Sequence, residues 1–236
     1  MMDLTEHFGG AFVLNLDSRP DRWDQFQERA AAAGITGFTR FRAVHGDSCP
    51  HPAWWRAGNG AWGCLMSHVR VCQDALMDGL RSCVVFEDDS VFAPDFADRL
   101  PVIMERLKET PWDQLYLGGQ HLHVEAGPPW PFCKGVVRCR NVNRTHAFAV
   151  TRQFMVKFQQ HVLHFPDYLG RYIAPDADGK GEWMPHIDHQ LGYLHERRES
   201  VTLAVNPWLC GQAAGPSSIN GREQEEQWWP ETGWGI

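Results

Sequence analysis

The chain has 236 residues, of which 43% are apolar and 22% are charged, proportions ordinary for a globular protein. A chain of this length buries a core without needing a disulfide or a metal, and its composition excludes a coiled coil, a collagen-like fibre and a mostly disordered protein. The formal net charge of −7, from 22 basic and 29 acidic residues, disfavours binding to nucleic acid through phosphate neutralisation alone.

The cysteines and the chain start predict a compartment. The seven cysteines form no CxxC pair, and several lie inside apolar runs, so reduced and buried thiols are expected. No run approaches the ~20 apolar residues of a membrane span. The first residues lack the basic start and apolar stretch of a secretory signal. We therefore expect a cytoplasmic protein with no membrane span.

The first half of the sequence alternates strand and helix patterns. A buried strand is predicted over 11–16, and Ser18 with Pro20 and Asp21 predicts the capped start of a helix that ends at Gly34. The further predicted elements are helix 63–79, strand 83–86, helix 95–108 and strand 114–117. This order predicts an α/β fold with a parallel-type central sheet.

The second half is less regular. Residues 120–140 and 166–185 show no clear periodicity, and we expect long substrate loops there. The predicted elements between and after them are strand 146–150, helix 151–164, helix 187–197 and strand 201–205, followed by an irregular tail from Pro207.

Three acids, Glu87, Asp88 and Asp89, directly follow the apolar run of the strand 83–86. Adjacent carboxylates at the end of a buried strand repel each other, and a divalent cation with a preference for oxygen ligands, Mn²⁺ or Mg²⁺, relieves that repulsion. Ligands of open α/β folds bind at the carboxyl ends of the strands. The alternative is an acidic turn that caps the next segment.

Two further motifs suggest anion contacts. Arg19 and Arg22 lie at the start of the first helix, where backbone N–H groups favour phosphate, although such arginines are commonly just solvated. Ser67 and His68 follow a glycine turn. Adjacent helical residues point in different directions, so packing or a hydrogen bond to a ligand is more plausible for this pair than nucleophilic catalysis.

The combination of "FVLNLDSRPDRW", "GAWGCLMSH", "VVFEDDSVF" and "DQLYLGG" resembles glycosyltransferase family 25. The resemblance covers roughly residues 11–119 and continues through "THAFAVT", "PHIDHQL" and "PWLCGQAAGPSSING". It implies a GT-A type, Rossmann-like α/β fold, with a mixed, mostly parallel central sheet flanked by helices. It further implies one domain over 1–236, with a nucleotide-sugar half (1–119) and an acceptor half with long loops (120–236). It also implies a uridine diphosphate sugar as donor and inversion at the anomeric carbon.

The resemblance assigns roles to individual residues. Asp89 matches the direct metal ligand, and Glu87 is the second candidate ligand. Glu87 or Asp88 is expected to face the ribose or a metal-bound water. The residues placed near the nucleotide are Asn15, Arg19, Arg22, Ser67, His68, Glu87, Asp88 and Gln212. The chain departs from the family at Ser217-Ser218-Ile219, where Ser-Asp is common, and it has no histidine after His195.

Inverting transfer needs a base facing the acceptor hydroxyl. We predict Asp188 for this role because it begins a predicted helix after a long loop, with His186 and His189 beside it. An N-cap is the alternative role of Asp188, and Glu182 is the alternative base.

The function predicted from the sequence is metal-dependent transfer of a hexose, galactose or else glucose, to an acceptor hydroxyl. A glycan, a protein and a modified nucleobase all remain open as the acceptor. The two competing functions are a metal-dependent phosphodiester hydrolase, which needs more Asp and His ligands than we can place, and a non-catalytic carbohydrate-binding protein that uses the 11 tryptophans as stacking surfaces.

Overall fold

The computed structural model describes residues 1–53, 55, 57–122, 129–163, 173–174, 182–183, 186–196, 198–219 and 221–229. The helices are α1 (Pro20–Ala32), α2 (Asn59–Met77), α3 (Phe96–Leu107), α4 (Arg152–Leu163) and α5 (Ile187–Glu196). The strands are β1 (Met2–Asp3), β2 (Ala11–Asn15), β3 (Ile35–Thr36), β4 (Thr39–Arg42), β5 (Ser82–Glu87), β6 (Ser90–Phe92), β7 (Gln114–His121), β8 (Trp130–Cys133), β9 (Val136–Arg138), β10 (Val142–Thr151), β11 (Ile173–Ala174), β12 (Glu182–Trp183), β13 (Thr202–Val205), β14 (Cys210–Gln212), β15 (Gly215–Pro216) and β16 (Glu223–Gln224).

Eight strands form the central sheet in the order β4-β2-β5-β10-β7-β13-β9-β8. The pairs β4–β2, β2–β5 and β7–β13 are parallel, whereas β10 is antiparallel to both of its neighbours and β9 to both of its own. Six strands therefore run in one direction and two in the other. This confirms the predicted α/β class with a mixed, mostly parallel sheet, and it places strands from both predicted halves in one sheet.

The core lies on both faces of this sheet. The central strands are apolar along their length, and the side chains of Cys83, Val84, Val85 and Phe86 in β5 are fully buried, as expected for strands covered on both faces. Helix α1 packs against β2 and β6, α2 packs against α4, and α4 and α5 pack against β10. The predicted flanking helices are therefore confirmed.

The predicted start of the first helix is partly wrong. Pro20 is its first residue, as predicted, but the N-cap position is Arg19, and no side chain caps the helix. The predicted stop is confirmed, because Gly34 follows the helix with a φ of +68°, a conformation that glycine adopts without strain.

Several predicted boundaries are also wrong. Strand β7 continues through Gly118 and Gly119 to His121 instead of ending at the glycines. Strands β8 and β9 lie in the segment predicted to be a loop, and β4 was not predicted at all. The tail after Pro207 carries β14, which pairs with β6 next to the acidic triplet. Most of the irregular segment 166–185 lies outside the described residues.

All seven cysteines are free thiols, and four of them (Cys72, Cys83, Cys139 and Cys210) are buried. Within the described ranges, no helix combines the length and the apolar character that crossing a bilayer requires.

A buried histidine predicts acid sensitivity. His195 in α5 accepts a hydrogen bond from the Val142 amide at Nδ1 (3.3 Å), and burial lowers its pKa from 6.5 to about 3. The unfolded chain therefore binds one more proton than the folded protein between these pH values. The contribution is fully present above pH 6.5 and is lost as the pH falls towards 3, with a slope of at most about 1.4 kcal/mol per pH unit.

Urea unfolding between pH 7 and pH 4 measures this slope. We expect it to be shallower in His195→Gln than in the native protein, whereas the control His45→Gln, whose side chain is 48% exposed, should keep the native slope. Equal slopes for the native protein and His195→Gln would refute the assignment.

Candidate functional site

The acidic triplet lies at the carboxyl end of β5, where the chain turns into β6, and it forms one wall of a cleft of about 680 Å³. The other walls come from the start of α2, the first half of β10, the start of α5 and the segment 212–224. The cleft therefore lies at the carboxyl ends of β2 and β5, where ligands of α/β folds bind. The predicted site residues that line it are Arg22, Ser67, Glu87, Asp88, Asp89, Asp188 and Gln212.

Arg22 bridges two of the three acids. Its Nη1 lies 3.0 Å from Asp88 Oδ1 and its Nη2 lies 2.8 Å from Asp89 Oδ2, and the Arg22 side chain is only 13% exposed. Nη1 also donates to the Ser218 hydroxyl at 3.2 Å. Helix α1 thus contacts both the triplet and the C-terminal segment through one side chain. Charge-assisted hydrogen bonds from one guanidinium to two carboxylates hold both carboxylates in fixed positions.

The predicted partners Asn15 and Arg19 lie beside this pair rather than in the cleft wall. Asn15 is buried and donates from Nδ2 to Asp88 Oδ2 (2.7 Å) and to the Arg19 carbonyl (2.9 Å). The Arg19 guanidinium instead pairs with Asp21 on the surface of α1, at 2.8 Å. Asn15 therefore positions Asp88, while Arg19 is engaged outside the cleft.

Asp89 keeps an unused oxygen. Its Oδ2 accepts from Arg22 (2.8 Å) and from Gln212 Nε2 (3.0 Å), while its Oδ1 is buried and has no hydrogen-bond partner among the described residues. Burial and the nearby charge of Glu87 raise the pKa of Asp89 to about 6, against the opposing effect of Arg22. A cation at Oδ1 would remove the cost of this orphaned oxygen.

Glu87 faces a different set of partners. The Thr145 hydroxyl donates to Glu87 Oε1 at 2.7 Å, and His68 Nε2 lies 3.4 Å from the same oxygen. Burial raises the pKa of Glu87, but the hydrogen bond and the charge of His68 and the bond from Thr145 outweigh it and lower the pKa to about 2. Glu87 is therefore held ionised. The predicted residue Ser67, which precedes His68 in α2, donates a hydrogen bond to the Gly63 carbonyl at 2.7 Å.

Asp188 lines the same cleft as the triplet and lies in the first turn of α5. It is the second residue of this helix, so the structure does not place it at the N-cap. Its Oδ1 accepts from the His189 amide at 2.9 Å, and its Oδ2 lies 3.4 Å from the Arg144 amide. The side chain of the alternative base, Glu182 in β12, lies outside the described part of the chain.

Strand β10 supplies cleft residues that the sequence analysis missed. Its pairing with β7 shifts register between Asn143 and Ala147, and Arg144 has a φ of +79°. This bulge directs Asn143, Arg144, Thr145 and His146 into the cleft wall, a common role of bulges near functional sites. The Arg144 guanidinium lies 4.9 Å from the ring centroid of Trp229. The alternation of apolar and polar residues along a strand does not predict a bulge, so these cleft residues could not be found from the sequence.

Charges in the cleft do not balance. Among the described lining residues, five are acidic (Asp47, Glu87, Asp88, Asp89 and Asp188) and two are arginines (Arg22 and Arg144). An anionic ligand therefore needs additional positive charge to enter.

Arg22 should contribute strongly to stability. Arg22→Ala leaves Asp88 and Asp89 unpaired in a mostly buried setting, and we expect the free energy of unfolding to fall by about 3 kcal/mol. The control Arg19→Ala removes an exposed ion pair and should cost at most ~1 kcal/mol. Urea unfolding at pH 7 measures both, and equal losses in the two variants would contradict the assignment.

The chain is similar in sequence and in fold to known proteins. The family model "Glycosyltransferase family 25 (LPS biosynthesis protein)" matches residues 8–125, which include the whole acidic triplet. A bovine (Bos taurus) relative, "Probable inactive glycosyltransferase 25 family member 3", is 38% identical over 136 residues, covering 50% of this chain and 23% of the relative. Zebrafish (Danio rerio) "Procollagen galactosyltransferase 1" is 34% identical over 68 residues, covering 28% of this chain and 11% of that protein.

The aligned part of the chain thus spans less than a quarter of the length of these relatives. Among solved structures, mannose-1-phosphate geranyltransferase from Thermus thermophilus superposes with a TM-score of 0.44 at 13% identity, covering 83% of this chain and 73% of that one.

Proposed function

The chain belongs to glycosyltransferase family 25, and from this membership we propose that it transfers a hexose from a uridine diphosphate sugar to an acceptor hydroxyl, with a divalent cation and with inversion at the anomeric carbon. One observation carries the proposal: the acidic triplet of the family match lines a cleft that is also lined by a further carboxylate, Asp188. This arrangement supplies a place for the donor diphosphate and a base for the acceptor.

The proposed cation is Mn²⁺ or Mg²⁺, held by Asp89 through its free Oδ1. A hard oxygen donor suits these ions. Glu87 is the second predicted ligand. Asp89 is proposed as the principal one, because its Oδ1 is buried and has no hydrogen-bond partner among the described residues. The cation would neutralise the charge of the departing diphosphate, which the five acids of the cleft otherwise repel.

Cation binding should depend on the ionisation of Asp89. Because burial and Glu87 raise the pKa of Asp89 to about 6, its carboxyl is protonated below that pH and must lose the proton to bind a metal. We expect manganese-dependent nucleotide affinity to increase as the pH rises through about 6. Isothermal titration at pH 5, 6 and 7 measures this, and an affinity that does not change with pH would contradict the role of Asp89.

The chain's own residues orient and deprotonate the reactants. Arg22 holds the carboxylates of Asp88 and Asp89 in place on the side of the cleft where the nucleotide is proposed to bind. Gln212, in the C-terminal segment, donates a hydrogen bond to Asp89. Asp188 accepts the proton of the acceptor hydroxyl as the sugar is transferred, and the His189 and Arg144 amides hold its carboxylate in place. Asn15 and His68 support the site through their contacts with Asp88 and Glu87. Ser67 lines the cleft, whereas the Arg19 guanidinium is paired with Asp21.

The donor sugar is proposed to be galactose, in keeping with the name of the zebrafish relative, a galactosyltransferase, and glucose is the second choice. The acceptor is a hydroxyl of a glycan, a protein or a modified nucleobase. A donor screen read by mass spectrometry, followed by an acceptor screen, identifies both.

Because a relative in this family is named as probably inactive, nucleotide binding and sugar transfer are tested separately. A thermal-shift panel measures the binding of the nucleotide and the metal. We expect uridine diphosphate with Mn²⁺ to raise the melting temperature more than either component alone, and more than other nucleoside diphosphates do. Stabilisation followed by sugar transfer supports the proposal. If no nucleotide stabilises the protein, the proposal is refuted, and a hydrolase or a carbohydrate-binding protein is favoured. Stabilisation by a nucleotide without hydrolysis or transfer of any donor sugar would indicate an inactive member of the family.

A further inference from the structure

Three side chains with metal-ligating atoms meet between helix α2 and the end of β5. Cys64 and His68 are four residues apart on α2, so they share one face of the helix, and Glu87 ends β5 opposite them. Cys64 Sγ, a ring nitrogen of His68 and a carboxylate oxygen of Glu87 all lie within 4.8 Å of one another. Cys64 and Glu87 are half-buried and line the cleft, while His68 is buried behind them.

We propose that Cys64, His68 and Glu87 form a binding site for a thiophilic divalent cation, with Zn²⁺ as the preferred ion, and that this site is separate from the oxygen site at Asp89. The proposal does not rest on glycosyl transfer, because it concerns the binding of the metal alone.

The ligand types argue for zinc. A thiolate, an imidazole and a carboxylate are the three side chains that bind Zn²⁺ most often, and three protein ligands with an open fourth position are usual in zinc sites that exchange a ligand. Mn²⁺ and Mg²⁺ prefer oxygen ligands, and a sulfur ligand disfavours them. Asp89 is not part of the trio, and its Oδ2 is engaged with Arg22 and Gln212.

The surroundings support a cation at this point. The Thr145 hydroxyl donates to Glu87 Oε1 at 2.7 Å, which orients the carboxylate as an outer-shell partner does in metal sites. Five acidic residues and two arginines of the described chain line the adjoining cleft, so its potential attracts cations. The fourth position would face this cleft and be open to water or to an anionic oxygen.

A competing explanation is that the trio is a hydrogen-bonded cluster in which His68 Nε2, 3.4 Å from Glu87 Oε1, does no more than hold α2 against β5. A metal-binding measurement separates the two explanations, since a purely structural cluster binds Zn²⁺ no better with Cys64 intact than with Cys64 replaced.

The experiment titrates the metal-free full chain with Co²⁺, whose thiolate charge-transfer band and intense visible bands report a sulfur ligand and tetrahedral geometry. Competition with a chromophoric chelator then gives the Zn²⁺ affinity. We expect one equivalent of Zn²⁺ to displace Co²⁺ from the native protein. Cys64→Ser should abolish the charge-transfer band and weaken Zn²⁺ binding by at least ~10–100-fold, the loss caused by removing even an outer-shell partner.

Cys49→Ser is the matched control, because Cys49 is also a half-buried free thiol but does not belong to the trio, and it should behave as the native protein. Glu87→Gln, which keeps the side-chain shape, should weaken Zn²⁺ binding even if Cys64→Ser folds poorly by circular dichroism. No charge-transfer band in the native protein, or a band and an affinity unchanged in Cys64→Ser, would overturn the proposal. Stabilisation by uridine diphosphate and Mn²⁺ is measured separately, so the two proposals fail independently.

Discussion

Asp89→Asn should abolish sugar transfer and manganese-dependent nucleotide binding while the protein stays folded. The amide cannot supply the anionic oxygen that the cation needs at the buried, unpartnered Oδ1 position. Metal stabilisation of a leaving group contributes several kcal/mol, and each 1.36 kcal/mol is a factor of ten in rate, so we expect a loss of about 10³-fold or more. The fold should survive because Arg22 still pairs with Asp88, at 3.0 Å.

Initial rates with saturating Mn²⁺ and donor, together with a melting curve, measure both halves of this prediction. Asp47→Asn is the control, since Asp47 also lines the cleft but its side chain is 70% exposed, and it should transfer sugar at close to the native rate. Near-native turnover of Asp89→Asn in the presence of manganese would show that Asp89 is not the metal ligand.

Arg22→Ala extends the test to the donor. Losing one charge-assisted bond should weaken donor binding by ~1–3 kcal/mol, and Arg19→Ala should have a smaller effect because the Arg19 guanidinium is paired with Asp21 outside the cleft. The sequence analysis treated the two arginines alike. Helical spacing does not tell which of them turns towards a strand end far away in the chain.

The α/β class could be predicted because strands and helices alternate locally. The position of β10 could not, since an apolar run predicts a strand but not its direction or its neighbours. Strand β10 inserts antiparallel between β5 and β7. The glycines predicted to end β7 lie within the strand instead, and Gly118 is needed there because a Cβ at this position would clash with the Cys210 carbonyl oxygen. Glycine here permits close approach rather than a turn.

Part of the candidate site could likewise be predicted from the sequence, and part could not. The acidic triplet follows a strand in the sequence, and the rule that ligands bind at carboxyl ends of strands was enough to place it in a cleft. Thr145 and Arg144 enter the same cleft through a bulge that depends on tertiary pairing with β7, which no local pattern encodes. The convergence of Arg22, Gln212 and Ser218 on one wall likewise depends on contacts between distant parts of the chain, 196 positions apart for Arg22 and Ser218 and 123 for Gln212 and Asp89.

Asp188→Asn should lower the turnover number by at least ~100-fold, the lower size of a general-base contribution, and leave donor affinity nearly unchanged. In the proposed mechanism the base faces the acceptor hydroxyl, whereas the diphosphate binds beside Asp89. An asparagine oxygen can still accept the bond that Asp188 Oδ1 takes from the His189 amide at 2.9 Å. The substitution therefore removes the proton acceptor and keeps the start of α5 intact.

Three measurements on Asp188→Asn decide between catalysis and structure. Donor affinity by titration and the melting temperature should match the native protein, while the rate should fall and lose its dependence on pH on the acid side, since no carboxylate remains to be protonated. Asp47→Asn again serves as the control for charge removed from the cleft. If Asp188→Asn melts normally, binds donor and transfers sugar at the native rate, Asp188 is not the base. Glu182, the alternative predicted from the sequence, is then the residue to replace.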